Sequence, residues 1–581
     1  MKTAQDLQRQ LAAIEGRGYP AYKQLCGVYR VGSCSLSIDH VQGDPFAAPS
    51  KVSVQVPLDE AGIAPDLFDE AWRRVALEDF LVRRFARALA AKSHRVGGSG
   101  KSGFLGTSRP GPEVVRRSAC DVASDGVAMR FEAGFPAHGR RVDACALERM
   151  LLDLVPACVD EALILDAEAL AQARAAADLA DDQHAVREAL DDHGLIAFVV
   201  DGAILPRESG VSSRPLRNAK PFSSPESLRI ALDLPHRGRT TGMGVRRGVT
   251  LVVGGGYHGK STLLRAVQEG VYNHVAGDGR ELVVTDASAV KLRAEDGRAV
   301  HEVDISLFIG DLPDGRSTQR FTTSDASGST SQAAAASEAL CSGCRVFLID
   351  EDTSATNFMV RDRLMEAVVS RDHEPITPFV ERVRDLWEQA HVSSMIVAGS
   401  SGSFFSVADT VLQMDCYEAR DITEHARAVC RHVEVSDTPR APGFAVPGSA
   451  RIPEWCALAP ASSRDHRAPR GRGGRGAHEA RVKVRVQGLD SLQVGTGSCD
   501  VRLVEQLVDS EQTAALARLM RTAQQRGLLD GTQEVTAVVD ELFSLLAREG
   551  WAALDERGSV ACGLALPRPV ELTAVMNRWR S

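Results

Sequence analysis

Residues 254–262 have the types and the spacing of a phosphate-binding loop. The segment GGGYHGKST matches the pattern GxxxxGK[ST], with an apolar VTLVV stretch before it and a helical TLLRAVQEG stretch after it. Glycines let backbone N–H groups curl around a phosphate, and the positive end of the following helix attracts the same charge. We expect Lys260 to reach the β- and γ-phosphates and Ser261 to ligate Mg²⁺. The predicted nucleotide-binding residues of this loop are Gly254, Gly255, Gly256, Tyr257, His258, Gly259, Lys260, Ser261 and Thr262.

Two adjacent acids end a second apolar stretch. The segment RVFLIDED places Asp350 and Glu351 at the end of a predicted strand. Phosphoryl transfer needs one carboxylate to hold Mg²⁺ and another to orient or polarise the attacking water. We assign the first role to Asp350 and the second to Glu351. The predicted catalytic residues are therefore Glu351 and Lys260, and the predicted metal ligands are Ser261 and Asp350.

A turn rich in serine and glycine precedes an alanine-rich helical segment, in the sequence DASGSTSQAAAASEAL. Ser327, Gly328 and Ser329 offer hydroxyl groups and backbone donors at the N-terminus of that helix, which favours a γ-phosphate. The alternative interpretation is an ordinary serine cap on a surface helix.

These motifs resemble one family, the predicted ABC-class ATPases. The run DEDTSATN (350–357) is similar to the DEPTSALD run of ABC ATPases, with Asp352 in place of proline and Thr356-Asn357 in place of Leu-Asp. The family likeness also includes RAEDGR (293–298), GRGYPAYK (16–23), IDHVQGDPFAAPS (38–50), DGAILPR (201–207) and EPITPF (374–379). It therefore extends over roughly residues 1–440.

The resemblance implies a homodimeric ATPase that is not a transporter and that uses ATP and Mg²⁺. By the resemblance to ABC enzymes, the Ser327–Ser329 turn of one copy would contact the γ-phosphate that is bound by the other copy. The kinetoplastid members of the family are linked to RNA editing. By that resemblance we expect RNA as a ligand, a ribonucleoprotein editing or processing complex as a partner, and the mitochondrial matrix as the location; the resemblance aside, the location would be cytoplasmic.

The sequence departs from the common ABC pattern after the next predicted strand. ABC ATPases usually carry a switch histidine there, whereas MIVAGSSGSFF offers Gly399, Ser400 and Ser401. A serine can hydrogen-bond a γ-phosphate but carries no charge, so we expect slow hydrolysis. Glu295 or Asp296 lies at about the sequence distance from the P-loop at which ABC ATPases carry a residue that helps to position Mg²⁺ or water. The alternative interpretation is that both residues belong to a simple turn.

The hydrophobic pattern predicts an α/β fold with a P-loop ABC-type ATPase core, an N-terminal α+β domain and a small, mainly helical C-terminal domain. Short apolar strands at 196–200, 249–253, 346–349 and 395–398 alternate with helical segments in the core. We place the N-terminal domain at 1–175, the ATPase domain at 176–440, a linker rich in Pro, Gly and Arg at 441–481, and the C-terminal domain at 482–581.

Composition and charge restrict the function classes. The 581 residues are 44% hydrophobic and 25% charged, with no apolar stretch of transmembrane length, which excludes a self-contained membrane pump and a fibrous protein. The formal net charge is −9, yet residues 464–485 carry eight Lys or Arg against two acids. Arginine pairs with phosphate and stacks on bases, so this segment is either a polyanion clamp or a solvated linker. The predicted RNA-binding residues are Arg467, Arg470, Arg472 and Arg475.

Two hypotheses follow. In the first, the chain hydrolyses ATP as a homodimer and couples this to RNA binding or remodelling, in mitochondrial RNA processing or editing. In the second, ATP stabilises an RNA-binding scaffold whose hydrolysis is vestigial.

Overall fold

The computed structural model describes residues 1–361, 368, 374–433, 438–448, 482–555 and 560–580. Its contacts divide the chain into two compact units. The first unit contains Met1–His184 and Trp551–Leu566, and the second contains Ala185–Gly550 and Pro567–Ser581.

The first unit has a seven-stranded sheet with helices packed on it. Its long strands alternate buried and exposed residues, as in the segment Ser50–Val56, so one face of the sheet covers an apolar core. The strand order is Lys2–Thr3, Gly27–Val31, Cys34–His40, Ser50–Val56, Gly126–Ala133 and Leu105–Gly106, with Cys120–Ala123 also pairing Gly126–Ala133. The helices within it are Ala4–Ile14, Leu58–Ala61, Ala71–Lys92, Ala144–Arg149 and Val155–Ala162, and the helix Ala167–Asp192 begins in this unit and ends in the residues of the second.

The second unit is built around a six-stranded sheet whose first five strands are parallel. Their almost wholly apolar sequences, such as VTLVV, suit a sheet that is covered on both faces. The order is Val290–Leu292, Val346–Asp350, Ser393–Val397, Val249–Val253 and Thr410–Asp415, with Glu418–Asp421 antiparallel at the edge. Their carboxyl ends therefore meet along one edge of the sheet.

Further strands of this unit are antiparallel. A four-stranded sheet has the order Arg229–Leu234, Gly238–Arg246, Leu195–Val200 and Val283–Thr285, and Arg298–Val303 pairs with Phe321–Ala326. The predicted strand 196–200 thus exists, but it belongs to this antiparallel sheet. Among the described residues of the unit before 440, the helices are Lys260–Glu269, Gly328–Cys341, Thr356–Met359, Phe379–Ala390 and Thr423–His432.

The C-terminal segment combines a small sheet with helices, within the second unit. Its strands are Val484–Gln487, Ser491–Val494 and Gly497–Asp500, and its helices are Ser510–Gln525, Val535–Glu549 and Pro569–Asn577. The helix Ser510–Gln525 begins at Ser510 because the Asp509 side chain accepts a hydrogen bond from the backbone of Glu511 and forms a capping box with Gln512. The mixed α/β fold with a helical C-terminal region confirms the predicted fold class.

Candidate nucleotide site

The glycine-rich loop joins the central strand Val249–Val253 to the helix Lys260–Glu269, as its motif predicts. Gly254 has φ 141°, and a side chain there would collide with the carbonyl of Met414. Gly259 has φ 99° and caps the helix, where a Cβ would lie 2.8 Å from the ring of Tyr417. Both positions therefore require glycine for conformation and for space.

A tight turn at 415–417 supports the loop from the neighbouring strand pair. His258 Nδ1 accepts a hydrogen bond from the backbone N–H of Cys416 at 3.0 Å, and the His258 carbonyl accepts one from Tyr417 at 3.1 Å. His258 therefore shapes the loop. Tyr257, at φ 64°, is fully exposed at the loop tip, and Gly255 and Gly256 beside it are exposed too.

Lys260 folds back over the loop. Its Nζ donates hydrogen bonds to the carbonyls of Gly254 at 2.7 Å and Gly255 at 2.9 Å. The ammonium group thus lies inside the curve of the loop that a phosphate would occupy.

Ser261 and Asp350 line one cavity of about 390 Å³. Asp350 ends the strand Val346–Asp350 and is 7% exposed, and Ser261 and Thr262 lie in the first turn of the helix that follows the loop. A hydroxyl and a carboxylate are hard oxygen ligands of the kind that Mg²⁺ prefers, so these residues fit that ion.

Glu351 is held by the segment that follows the strand Ser393–Val397. Its Oε2 accepts hydrogen bonds from the backbone N–H groups of Gly399 at 2.6 Å and Ser400 at 3.1 Å, and its Oε1 accepts one from the Ser400 hydroxyl at 2.6 Å. Burial acts to raise the pKa of Glu351, but these hydrogen bonds outweigh it, and the pKa lies below its usual value. The carboxylate is therefore ionised and fixed in orientation at neutral pH.

Gly399, which binds this carboxylate, lies close to the loop lysine. A Cβ built on Gly399 would lie 4.0 Å from Lys260 Nζ. The structure thus brings together the P-loop, Asp350, Glu351 and the 399–401 segment. The place of the expected switch histidine holds a serine that binds Glu351.

The Ser327–Ser329 turn lies in a different neighbourhood. Ser327 caps the helix Gly328–Cys341, and its hydroxyl accepts a hydrogen bond from Thr330. A Cβ on Gly328 would lie 3.1 Å from Asp296 and 3.6 Å from Ala355. The turn therefore borders residues 294–296 and the segment after Asp350, whereas the P-loop borders the 415–417 turn.

Glu295 does not point a free carboxylate at a metal. It is 7% exposed, and both its oxygens accept hydrogen bonds from the Arg578 guanidinium, at 2.5 and 3.2 Å. The interpretation of Glu295 as a Mg²⁺-positioning residue is therefore replaced by a buried ion pair with the C-terminal segment.

The basic segment has no structural description. Arg467, Arg470, Arg472 and Arg475 lie outside the described residues, as does most of the predicted linker 441–481.

Three family models match the chain over nearly its whole length. Residues 4–166 match the N-terminal model of ATPases of the ABC class, residues 169–444 match the P-loop domain of ABC ATPases, and residues 483–581 match the MRB1590 C-terminal domain. The chain belongs to the ABC class of ATPases. This confirms the resemblance drawn from the motifs, and residues 483–581 are similar to the C-terminal domain of MRB1590.

Similar proteins include an uncharacterised protein, MJ1628, of Methanocaldococcus jannaschii, which is 29% identical over 249 residues. That match covers 41% of this chain and 54% of the relative, so the chain spans about half the length of that protein.

Two solved ATP-binding subunits also match the ATPase. One is MJ1267 of an ABC transporter in its ADP conformation, with 12% identity, 42% of this chain and 96% of that chain covered, and a TM-score of 0.25. The other is cbiO1 of Clostridium perfringens, part of the transporter complex cbiONQ, with 12% identity, 42% and 95% covered, and a TM-score of 0.26. In the part of this ATPase that the structure describes, every helix is too short or too polar to cross a membrane.

Sequence reasoning missed the partners of these motifs. The 415–417 turn carries Cys416 and Tyr417 at positive φ, where glycine or asparagine is the usual signal, so its sequence DCYE gave no turn signature. The sequence indicates only that Ser400 can hydrogen-bond a phosphate, and it gives no signal for the contact between Ser400 and Glu351.

Proposed function

We propose that this chain binds and hydrolyses ATP as a homodimer and couples that reaction to RNA binding or remodelling. The observation that supports hydrolysis best is the Glu351 carboxylate, ionised and fixed by Gly399 and Ser400 beside Lys260. A base in this position can accept a proton from water that attacks the γ-phosphate.

Each residue then has a distinct role. The P-loop N–H groups and Lys260 bind the phosphates of ATP, while Ser261 and Asp350 hold Mg²⁺. When bound, Mg²⁺ neutralises the charge that develops on the phosphates. Glu351 orients the attacking water and receives its proton, and Ser400 keeps the carboxylate in place.

A homodimer would complete the site. The Ser327–Ser329 turn has its own set of neighbours in this chain, which supports its use by a second copy, where the helix N-terminus would contact the γ-phosphate. Closing around ATP and opening after hydrolysis would then move any ligand bound to both copies.

RNA is the proposed ligand on two grounds. One is the match of residues 483–581 to the MRB1590 C-terminal domain, and the other is the arginine-rich segment at 467–475. A mitochondrial matrix location and a place in an RNA editing or processing complex follow from the same resemblance.

Steady-state ATPase assays with and without single-stranded RNA test the proposal, with Glu351→Gln as the blank. RNA-stimulated turnover that is absent from the variant is the expected result. ATP binding with no turnover above the blank would instead favour an ATP-stabilised RNA-binding scaffold, the second candidate, which the uncharged Ser400 at the switch position supports.

Replacing Ser400 with alanine should lower kcat by roughly tenfold or more, because hydrogen bonds to charged groups contribute about 1.5–3 kcal/mol. The ATP affinity should stay within about twofold, since Ser400 contacts Glu351. Ser400→Thr keeps the hydroxyl and should restore most of the rate. Equal kcat in wild type and Ser400→Ala would show that the backbone N–H groups alone suffice to hold the carboxylate.

Replacing Arg470, Arg472 and Arg475 together with alanine should weaken RNA binding and lower the slope of log affinity against log salt by up to about 3, if each arginine neutralises one phosphate. The measurement is fluorescence anisotropy of a labelled single strand at several salt concentrations. Replacement of the surface arginines Arg316, Arg427 and Arg548 is the matched control. An unchanged slope in the 470–475 variant would move the RNA site to another surface.

A further inference from the structure

The C-terminal segment supplies part of the wall of the cavity that Ser261 and Asp350 line. Its wall includes Val501, Arg502 and Glu505, together with Lys291 from the edge strand of the parallel sheet. Residues distant in sequence thus line the same cavity as the proposed Mg²⁺ ligands.

The C-terminal wall is fixed by hydrogen bonds to the ATPase core. The carbonyls of Glu505 and Gln506 accept hydrogen bonds from Gln268 at 3.1 Å and Tyr272 at 2.9 Å. The buried Gln506 amide donates to the carbonyls of Gln268 at 3.2 Å and Ala289 at 3.1 Å, and accepts from the backbone of Lys291 at 3.0 Å. The position of Glu505 relative to Lys291 is therefore set by the fold.

Most charged side chains of this cavity have an ion-pair partner. Arg265 pairs with Glu269, Arg502 with Asp500, and Glu505 with Arg293. Among the described residues that line the cavity, Lys291 and Asp350 are the charged side chains without an ion pair. A lone cation and a lone metal-binding carboxylate thus share one cavity.

A lysine in this cavity weakens the binding of a divalent cation. Two positive charges repel in a site that burial partly shields from water, and Lys291 also competes for Asp350. Burial lowers the pKa of Lys291, and the charges of Glu505 and Asp350 oppose that shift, so Glu505 attracts this ammonium group in addition to pairing with Arg293.

We propose that Lys291 and Glu505 set the Mg²⁺ affinity of the nucleotide site, with the C-terminal segment supplying the carboxylate that balances the lysine. The inference rests on the proposed ATP and Mg²⁺ site. Lys291 weakens metal binding at Ser261 and Asp350, and Glu505 relieves that effect. Displacement of the C-terminal segment, for example on RNA binding, would then lower the affinity for the metal.

The metal affinity of the full chain can be measured from the electron paramagnetic resonance signal of Mn²⁺ in the presence of ATP. This readout does not depend on ATPase activity. Lys291→Met should tighten Mn²⁺ binding by about tenfold, and Glu505→Gln should weaken it about threefold to tenfold, as expected for one unit charge in a partly buried site. In the Lys291→Met background, Glu505→Gln should weaken binding by a smaller factor than in the wild-type background, because only the direct attraction between Glu505 and the metal is then lost. Arg502→Gln, on the same wall, should stay within about twofold of wild type, because the Arg502 side chain is 64% exposed and its charge is screened by water, whereas Glu505 is 24% exposed.

Affinity for ATP in EDTA and the thermal unfolding curve of each variant identify variants that have merely lost structure. A Glu505→Gln effect of the same size with and without Lys291 would overturn the inference, as would unchanged affinity in both single variants. Failure of the wild-type chain to bind Mn²⁺ together with ATP would overturn the nucleotide site as well.

Discussion

Replacing Glu351 with glutamine is expected to lower ATP turnover by at least about 100-fold while ATP still binds. General base catalysis contributes roughly 10²–10⁴ in rate, and the amide of glutamine has the shape of the carboxylate without its basicity. Gly399 and Ser400 can still donate to the amide oxygen, so the site keeps its structure. The variant should accumulate as an ATP-bound dimer, which gel filtration with light scattering would detect.

Asp352→Asn is the matched control, because Asp352 is the exposed acid next to Glu351. Its turnover should stay within about twofold of wild type. A wild-type rate in Glu351→Gln would contradict the assignment of Glu351 as the base and would leave the hydrolytic role to another group.

Local sequence signals predicted the motifs and the elements that carry them. The P-loop lies between the predicted strand and helix because glycine spacing and hydrophobic pattern are encoded in adjacent residues. Asp350 and Glu351 follow a run of apolar residues, which is sufficient to place them at the end of a buried strand. Ser327 caps its helix, as a serine before an alanine-rich segment predicts.

Contacts between distant segments could not be predicted in this way. Ser400 binds Glu351 because their two strands are neighbours in the parallel sheet, and strand order does not follow from hydrophobic pattern. Lys291 and Asp350 line one cavity together with residues of the C-terminal segment. The sequence position of Glu295 suggests an acid that positions the metal, whereas in the structure its carboxylate pairs with Arg578.

The Glu295 contact is part of a buried network of ions that joins the C-terminal helix to the ATPase core. Arg578 pairs with Glu295 at 2.5 Å and with Glu338 at 3.4 Å, and Glu338 also pairs with Arg298. Glu338 lies in the helix that begins at the Ser327–Ser329 turn, while Glu295 lies between Ala294 and Asp296, which border this turn. Docking of the C-terminal helix is therefore coupled by charge to the turn that would contact a second copy.

Arg578→Met should destabilise the docking of the helix Pro569–Asn577 by about 3–5 kcal/mol, because removing one partner of a buried ion pair leaves uncompensated charge. The measurement is hydrogen exchange of that helix, corrected for the intrinsic rate at each pH. Arg548→Met, which removes an exposed pair with Glu541, should cost less than about 1 kcal/mol. The double variant with Glu295→Gln should recover part of the loss.

The effect should also depend on pH. Burial acts to raise the pKa of Glu295, but Arg578 and Arg298 outweigh it and the pKa is lowered, so its stabilising contribution is present above the ordinary value of 4.5 and is lost as the pH falls below it. Burial raises the pKa of Glu338 despite its arginine partners, so its ionisation costs stability as the pH rises.

Without Arg578 both pKa values should rise, and the carboxylates should take up protons under mildly acidic conditions. The difference between wild type and Arg578→Met should therefore be larger at pH 8 than at pH 5, and a difference independent of pH would mean that the guanidinium stabilises the helix by packing rather than by its charge.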